Sequence, residues 1–314
     1  MKAIAYNAFG PAEVLREMSL TVPEPGDDEV LIRVCATSVN PLDWKIRSRQ
    51  LKLPLKGGFP RVPGSDVSGV VERVGVDVTS VQPGDEVYAL LDYRRDGAAA
   101  EFVRSRATFL YKKPPSLSYD EAACVPLAAL TALQALKLKA RMQKGERVLI
   151  TGASGGVGHF AVQLAKNYGA HVTATASAKN ADFARGLGAD EVIAYDTGGV
   201  PEGPAFDVIF DPVRAYDYSA AVTRLLPAGR YVSTSPDLGG MLRTKLLKWV
   251  GDKRQCLFLA VVPDPHGLKY LHEQIEAGAL KPHLQQIFPL ERLADAHRIS
   301  EDGHVVGKLA VHVA

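Results

Sequence analysis

A cluster of glycines follows a short apolar segment near the middle of the chain. The glycines are Gly152, Gly155, Gly156 and Gly158. Glycine has no Cβ, so its backbone adopts turns that other residues avoid and approaches a ligand closely. Residues 147–151 have the pattern of a buried strand, and residues 159–168 have the periodicity of a helix. The N-terminus of such a helix binds phosphate, so the spacing predicts a strand–turn–helix anion site.

A second strand pattern, at residues 171–176, completes a βαβ unit after this turn. In that context a glycine-rich turn is typical of a dinucleotide site, in which the pyrophosphate lies on the helix N-terminus. A tight loop between a strand and a helix also requires glycines for steric reasons alone, which is the alternative interpretation. The cofactor contacts predicted in the turn are Ser154, Gly155, Gly156 and Val157.

The residues after the second strand predict which nucleotide binds. NAD enzymes usually carry an acid about twenty residues after the glycines, where it binds the ribose hydroxyls. Here residues 176–180 read Ala-Ser-Ala-Lys-Asn and contain no acid. The Ser177 hydroxyl donates a hydrogen bond and Lys179 supplies a positive charge, which favours a 2′-phosphate and therefore NADPH. Alternatively, this segment only caps the next helix.

Composition and charge exclude several other classes of protein. The 314 residues carry a net charge of +2, from 37 basic and 35 acidic residues, which is too balanced for a main role in nucleic-acid or membrane binding. The three cysteines are far apart, so neither a disulfide framework nor a zinc knuckle is indicated. No apolar run is long enough for a signal peptide or a membrane span. We therefore expect a soluble protein in the reducing cytoplasm.

The order of the patterns predicts an α/β protein with two domains. Residues 1–116 alternate short strand patterns with Gly and Pro turns, and residues 85–90 and 100–104 resemble the two strands of a hairpin. Residues 117–280 alternate strands and helices, which predicts a doubly wound parallel sheet. Ser118 and Glu121 predict a capping box at its first helix, residues 206–211 a strand and residues 218–226 a helix. Residues 281–314 have the pattern of elements that return to the first, β-rich domain.

Several short motifs occur in order along the whole chain. Apart from the glycine turn they are SVNPLD (residues 38–43), PGSDVSG (63–69), PGD (83–85), PLAALTA (126–132), LGADEV (187–192) and GHVVGK (303–308). Together they resemble the medium-chain dehydrogenase/reductase superfamily. The NPLD segment and the glycine turn are similar to those of its zinc-independent quinone oxidoreductase branch. The resemblance implies a β-rich GroES-like domain, a Rossmann domain, and NADPH-dependent reduction of quinones or activated alkenes.

The resemblance also bears on zinc. Alcohol dehydrogenases of the superfamily bind catalytic zinc through a cysteine and a histidine, and the matching positions here are Asn40 and Ser65. Ser65 with its neighbour Asp66 does not reproduce the N and S ligand set that holds catalytic zinc. The loop of four clustered cysteines that binds structural zinc is also missing, because residues 84–106 contain none. We therefore expect no metal site, and a zinc-type alcohol dehydrogenase is the disfavoured alternative.

The resemblance implies three catalytic candidates. Asn40 matches an asparagine near the nicotinamide ribose, and Asp43 matches its companion. Alternatively, Asp43 is only a local turn partner of the segment that begins at Asn40. Lys45 occupies roughly the position of a tyrosine considered a proton donor in some relatives, where a lysine could hold an enolate oxygen. Alternatively, Lys45 is an exposed helix residue.

Further cofactor contacts follow from the same resemblance. Thr131 matches a threonine that faces the nicotinamide. Tyr195 matches a tyrosine beside the adenosine phosphate, or else it is an ordinary aromatic residue at a strand end. His304 and Lys308 match a segment that reaches the nicotinamide side of the cofactor. Pro212 departs from the family pattern, because it removes a backbone donor near the expected nicotinamide contacts.

These residues and the resemblance together predict a zinc-independent reductase that transfers hydride from NADPH to a quinone or an α,β-unsaturated carbonyl. Without a metal, the acceptor must already be electron-poor. The non-enzyme alternative is an NADPH-binding structural or regulatory protein, since the glycine turn would be kept in both. The apolar strand pattern at residues 256–262 either pairs across a homodimer or lies at the centre of the sheet.

Overall fold

The computed structural model describes residues 1–200, 202–247 and 251–314, and the side chains of residues 245–247 lie outside the described set. The chain divides into two compact units. The first unit contains Met1–Leu130 and Val262–Ala314, and the second contains Thr131–Val261.

Strands predominate in the first unit, whereas strands and helices alternate in the second. The first unit opens with β1 (Lys2–Ala5), β2 (Arg16–Ser19), β3 (Glu29–Val39), α1 (Pro41–Arg47), β4 (Asp66–Val74), β5 (Glu86–Leu90), β6 (Phe102–Arg106), β7 (Leu110–Lys112), α2 (Tyr119–Ala123) and the start of α3 (Pro126–Leu133). The second unit then has β8 (Arg147–Ile150), α4 (Gly158–Asn167), β9 (His171–Ala176), α5 (Ala181–Gly186), β10 (Glu191–Ala194), β11 (Phe206–Asp211), α6 (Tyr218–Val222), β12 (Leu225–Ser233), α7 (Leu238–Leu247) and β13 (Gln255–Phe258). The chain returns to the first unit with α8 (Pro265–Glu276), β14 (Leu284–Pro289), α9 (Leu293–Glu301) and β15 (Lys308–His312).

The boundaries between the units differ from those expected after residues 116 and 280. Residues 117–130 and 262–280 belong to the first unit. The reason is packing, since α2 lies against β3 and β4, and α8 lies against β7. Ser118 and Glu121 form the expected capping box at the start of α2. A capping box marks where a helix begins and does not reveal which sheet the helix covers.

Within the described residues, the first unit contains a mainly antiparallel sheet with the strand order β14-β15-β3-β4-β5-β7, and β6 pairs with β3. The expected hairpin of β5 with β6 is wrong, because β5 pairs with β4 and β7 while β6 pairs with β3. Valines and other apolar side chains of β3, β4 and β5 fill the centre of this unit. The sheet brings the end of β3 and the start of β4 close to β15, and these strands carry most of the polar residues discussed below.

The second unit contains a parallel sheet with the strand order β10-β9-β8-β11-β12-β13 among its described strands. In the numbering of this unit alone, the order is that of a doubly wound nucleotide-binding sheet, with the reversal between β8 and β11. Ligands bind such sheets at the carboxyl edge beside that reversal. The glycine turn follows β8 directly and therefore lies at this point.

One helix and one strand of the second unit end earlier than expected. The helix predicted over residues 218–226 ends at Val222, because buried Leu225 already pairs with Phe206 as the first residue of β12. The strand predicted over residues 256–262 ends at Phe258, which pairs with Ser233, the last residue of β12. β13 lies last in the order of the described strands, so homodimerisation through this edge stays a prediction. In the described part of the chain, every helix is too short or too polar to cross a bilayer.

Candidate active site

The turn from β3 into α1 places Asn40 and Asp43 side by side. Asp43 Oδ2 accepts the Asn40 N–H at 2.9 Å, and Pro41 occupies the first turn of the helix, where its missing N–H costs nothing. The other carboxylate oxygen, Oδ1, accepts both the N–H and the hydroxyl of Ser65, at 3.0 and 2.5 Å. Asp43 is therefore a local turn partner, as the alternative interpretation held, and it also binds a residue of a distant segment.

A second buried carboxylate organises the other side of Asn40. Asp66 is fully buried, and its Oδ2 accepts hydrogen bonds from Ser38 Oγ at 2.7 Å and from Asn40 Nδ2 at 2.9 Å. Lys308 Nζ donates to Asn40 Oδ1 and lies 3.9 Å from Asp66 Oδ2. Asp66 Oδ1 accepts the N–H of Leu127 at 2.7 Å. We call Ser38, Asn40, Asp66 and Lys308 the Asp66 network.

Burial shifts the pKa of both carboxyl groups upward. Removal from water raises the pKa of Asp43 to about 6, and Asp66 adds to this shift while Lys308 and the Ser65 hydrogen bond oppose it. Burial also raises the pKa of Asp66, chiefly against the attraction of Lys308. Asp43 is therefore an acid that can gain and lose a proton near neutral pH.

A pocket opens beside Asp43 within the first unit. It encloses about 340 Å³ of empty space, part of which is open to solvent. Its lining includes Asp43, Ser65, Tyr6, Arg61 and Leu91. The pocket thus combines charged and hydroxyl-bearing side chains with a few aliphatic ones, so it offers several polar partners to a small molecule.

Lys45 and His304 do not join the Asp66 network. Lys45 lies in the last turn of α1, half-buried, with its Nζ 5.3 Å from the centre of the Trp44 ring. Trp44 Nε1 donates to Ser300 Oγ of α9 at 3.1 Å. His304 is exposed, whereas Lys308 is 3% exposed. Besides Asp43, the predicted site residues of the first unit are Asn40, Lys45, His304 and Lys308. The structure brings Asn40 and Lys308 together.

The glycine turn of the second unit has the shape that its sequence predicts. Gly152 has a φ of +59°, and a Cβ on Gly158 would lie 2.1 Å from the Gly152 oxygen. Helix α4 begins at Gly158 after Val157, which provides no side-chain cap to the first N–H groups. Asn180 Nδ2 donates weakly to Ser154 Oγ, at 3.4 Å. The bare backbone and the uncapped helix start fit a pyrophosphate.

Asp211, at the end of β11, anchors the turn that contains Pro212. Its carboxylate accepts Thr151 Oγ1 at 2.5 Å and the N–H groups of Ala215 and Tyr216, each at 2.9 Å. Arg214 has a φ of +57° in this turn, a conformation that glycine adopts without strain. The turn that departs from the family pattern is thus fixed at the reversal point of the sheet by a buried carboxylate.

Residues at the ends of β9 and β10 surround the position expected for the adenosine phosphate. Ser177 is buried at the start of a short 3-10 helix, and Lys179 is exposed within it. Tyr195 is 60% exposed, and its N–H donates to the Ala176 oxygen at 3.1 Å. Asp196 Oδ1 accepts the Ala178 N–H at 2.8 Å. The structure therefore brings Ser177 and Tyr195 to neighbouring strand ends, and it adds an acid close to them.

Thr131, the predicted contact of the nicotinamide, is the first residue of the second unit. It lies in α3 and is 4% exposed.

Sequence reasoning missed two acids, Asp66 and Asp196. An acid that opens the apolar strand β4 was the available signal for Asp66, since a buried acid needs partners. Asp196 had no comparable signal, because its role depends on β10 pairing with β9.

The chain matches two family models over separate segments and known proteins over nearly its whole length. A model described as "Alcohol dehydrogenase GroES-like domain" matches residues 26–115, and one described as "Zinc-binding dehydrogenase" matches residues 187–311. A chloroplastic quinone-oxidoreductase homolog of Spinacia oleracea is 36% identical, over 99% of this chain and 98% of that protein. The chain belongs to the quinone oxidoreductase branch of the medium-chain dehydrogenase/reductase superfamily.

Two further members of the branch extend this comparison. The mitochondrial NAD(P)H oxidoreductase RTN4IP1 of Mus musculus is 37% identical, over 100% of this chain and 89% of that protein. The solved structure of the quinone oxidoreductase from Coxiella burnetii has a TM-score of 0.91 at 34% identity, and the match covers 100% of this chain and 99% of that one. The chain described here is therefore an oxidoreductase with a GroES-like domain and a Rossmann domain, and it uses a nicotinamide cofactor.

The expected cytoplasmic location is wrong on this comparison. The relatives from Spinacia oleracea and Mus musculus are named chloroplastic and mitochondrial. The expectation rested on the widely spaced cysteines and on the lack of a long apolar run, and both properties also suit the reducing interior of an organelle. These properties therefore do not distinguish one reducing compartment from another.

Proposed function

We propose that this protein is an NADPH-dependent reductase of quinones or α,β-unsaturated carbonyls. The observation that carries the proposal is the glycine turn with its uncapped helix start, placed where the order of the parallel strands reverses. Within the protein, Thr131–Val261 is the unit we assign to the nucleotide. When bound, the reduced nicotinamide supplies a hydride.

The residues of the turn fit the dinucleotide. Gly155 and Gly156 carry no side chain that would block the backbone, and the start of α4, at the positive end of the helix, would hold the pyrophosphate. Gly158 lets α4 approach the turn, because a side chain there would strike backbone atoms. In the first unit, Asn40 holds its amide between Asp66 and Lys308, so its orientation is fixed before a ligand arrives.

The site supports a mechanism without zinc. At the two positions that match zinc ligands, the Asn40 amide and the Ser65 hydroxyl are committed to Asp66 and Asp43. An amide and a hydroxyl are poor ligands for zinc, which prefers cysteine, histidine and carboxylate. Without a Lewis acid, hydride transfer requires an acceptor that is already polarised, which a quinone or an enone satisfies. The pocket beside Asp43 is the site we assign to this acceptor.

We propose NADPH over NADH on the basis of Ser177 and Lys179. Lys179→Ala with Ser177→Asp should weaken NADPH binding by about 1.4–3 kcal/mol, or roughly ten- to 150-fold, and leave NADH binding unchanged. The new carboxylate repels the 2′-phosphate, and the cation that attracts it is lost. Titration calorimetry with both nucleotides measures the effect. Lys139→Ala, which removes another exposed lysine of the same unit, is the control and should bind both as wild type does.

A wild-type protein that prefers NADH would contradict the nucleotide assignment. The wild-type preference should be measured first, because the Asp196 carboxylate accepts the N–H of Ala178, which lies between the two residues assigned to the 2′-phosphate.

Turnover separates the enzyme from the non-enzyme alternative. The purified protein is mixed with NADPH and a panel of quinones and enones, and loss of the reduced-nicotinamide absorbance is followed. The proposal expects oxidation that depends on the acceptor. Tight NADPH binding with no oxidation across the panel would favour a structural or regulatory NADPH-binding protein.

A further inference from the structure

Ser65 lies between a titratable acid and the pocket of the first unit. Its hydroxyl donates to Asp43 Oδ1 at 2.5 Å, and both side chains line the pocket while being at most 5% exposed. We propose that Asp43 and Ser65 form a proton relay, which delivers the proton consumed when an electron-poor acceptor is reduced in this pocket. The inference rests on the proposed function and assigns Ser65 as the residue that touches the acceptor.

The hydrogen bonds around Asp43 give the relay a direction. Oδ2 is committed to the Asn40 N–H, and Oδ1 faces the N–H and the hydroxyl of Ser65. In the structure the Ser65 hydroxyl donates to Oδ1. When Oδ1 is protonated it becomes the donor, so Ser65 Oγ accepts this bond and turns its own proton toward the pocket without holding a charge. The Ser65 N–H bond to the same oxygen fixes the distance between the two side chains. A proton on Oδ1 therefore reaches the pocket through Ser65 Oγ.

The chemistry balances as a two-electron reduction. The acceptor gains a hydride from the reduced nicotinamide, which is thereby oxidised, and negative charge develops on the carbonyl oxygen of the acceptor. A new O–H bond forms on that oxygen as the Ser65 O–H bond breaks, and Ser65 takes the proton from Asp43 at the same time. The Asp43 carboxylate regains its proton from solvent through the open side of the pocket. The same proton balance holds for an enone and for a quinone.

The charges around Asp43 suit this role. Around it lie Asp66 and Lys308 on the network side and Tyr6, Arg61, Asp92 and Arg95 on the pocket side. Burial raises the pKa of Asp43 to about 6, so the protonated form predominates below that pH and remains accessible near neutrality. A general acid works best when its pKa lies near the working pH. We therefore expect kcat to fall as the pH rises through about 6.

The test compares three serine variants of the protein. Ser65→Ala should lower kcat by about 10- to 100-fold, whereas Ser65→Thr, which keeps the hydroxyl, should retain kcat within about threefold. Ser65→Ala should also lose the dependence of kcat on pH near 6 and change the solvent isotope effect, while the dissociation constant of NADPH stays at the wild-type value. Ser105→Ala is the matched control, because it removes a buried serine hydroxyl of the same unit that lies outside both the pocket lining and the Asp66 network.

A spectroscopic readout does not depend on turnover. In ¹³C-aspartate-labelled protein, one carboxyl resonance should titrate near pH 6, be missing from Asp43→Asn and move in Ser65→Ala. Wild-type kcat and an unchanged pH profile in a folded Ser65→Ala protein would overturn the relay and leave the proposed function intact. A wild-type protein that oxidises no NADPH with any acceptor would overturn both.

Discussion

Loss of the buried cation is expected to be among the most destabilising changes in the first unit. Lys308→Met should lower the free energy of unfolding by about 3–5 kcal/mol at pH 8, the usual cost of leaving a buried charge without its partner. The stranded group is Asp66, which is fully buried. Denaturant unfolding of the variant and the wild type measures the difference.

The loss should depend on pH in a defined direction. Burial already raises the folded-state pKa of Asp66, and removing Lys308 raises it further. A group whose folded pKa is raised stabilises the protein fully below its unfolded pKa, and that stability is lost as the pH rises through the folded pKa. Lys308→Met should therefore be less destabilised at pH 5, where Asp66 is more protonated, than at pH 8.

Two further variants test the cause. In the double variant Lys308→Met with Asp66→Asn, the unpaired charge on Asp66 is removed together with its cation, so most of the lost stability should return. Lys113→Met removes another buried lysine, but its acidic partner Glu86 is 51% exposed in its side chain and can be solvated. This control should cost clearly less than Lys308→Met. Equal losses for the two lysines, or no recovery in the double variant, would contradict the assignment of a buried charge pair.

Alanine at Gly158 is expected to damage both the stability and the nucleotide site of the second unit. The added Cβ would lie 2.1 Å from the Gly152 oxygen and 2.8 Å from the Ala153 Cα, and these backbone atoms cannot turn aside as a side chain would. Overpacking of this kind typically costs about 1–3 kcal/mol, and sometimes more. The change should also push α4 away from the turn. We expect the affinity for NADPH to fall by at least about tenfold, because the start of the helix would move away from the pyrophosphate position.

The matched control is Gly186→Ala, in the last turn of α5. Among the described residues, no heavy atom beyond the chain neighbours and the helix's own backbone lies within 4 Å of the added methyl group, so this change should be neutral or stabilise the helix. Thermal unfolding and NADPH titration of both variants measure the contrast. A Gly158→Ala protein that unfolds at the wild-type temperature and binds NADPH with wild-type affinity would show that close approach at this position is unnecessary.

Local patterns were sufficient for much of the second unit. The strands over residues 171–176 and 206–211 have the predicted bounds, because continuous β-branched and apolar runs between turn residues specify a buried parallel strand. The glycine turn was equally readable, since its conformation depends on residues that are neighbours in sequence. By contrast, the pairing of β5 and β6 was mistaken, because strand partners depend on segments far apart in the chain.

The candidate site was only partly readable for the same reason. Asn40, Asp43 and Lys308 were identified by motif, but their partners were not. The contact of Asn40 with Asp66 spans 26 residues, and its contact with Lys308 spans 268. Such a network exists only after β3, β4 and β15 pair in one sheet. Ser65 illustrates the limit, since sequence comparison marked it as a lost zinc ligand and the structure shows its bond to Asp43.

The most direct test of the account follows the hydride itself. The protein is incubated with an α,β-unsaturated ketone and NADPH that carries deuterium at C4 on the face transferred, in buffer containing a metal chelator. We expect one deuterium at the β-carbon of the saturated product and a solvent proton at the α-carbon. A product without deuterium, or turnover that stops when the chelator is added, would contradict direct hydride transfer without a metal.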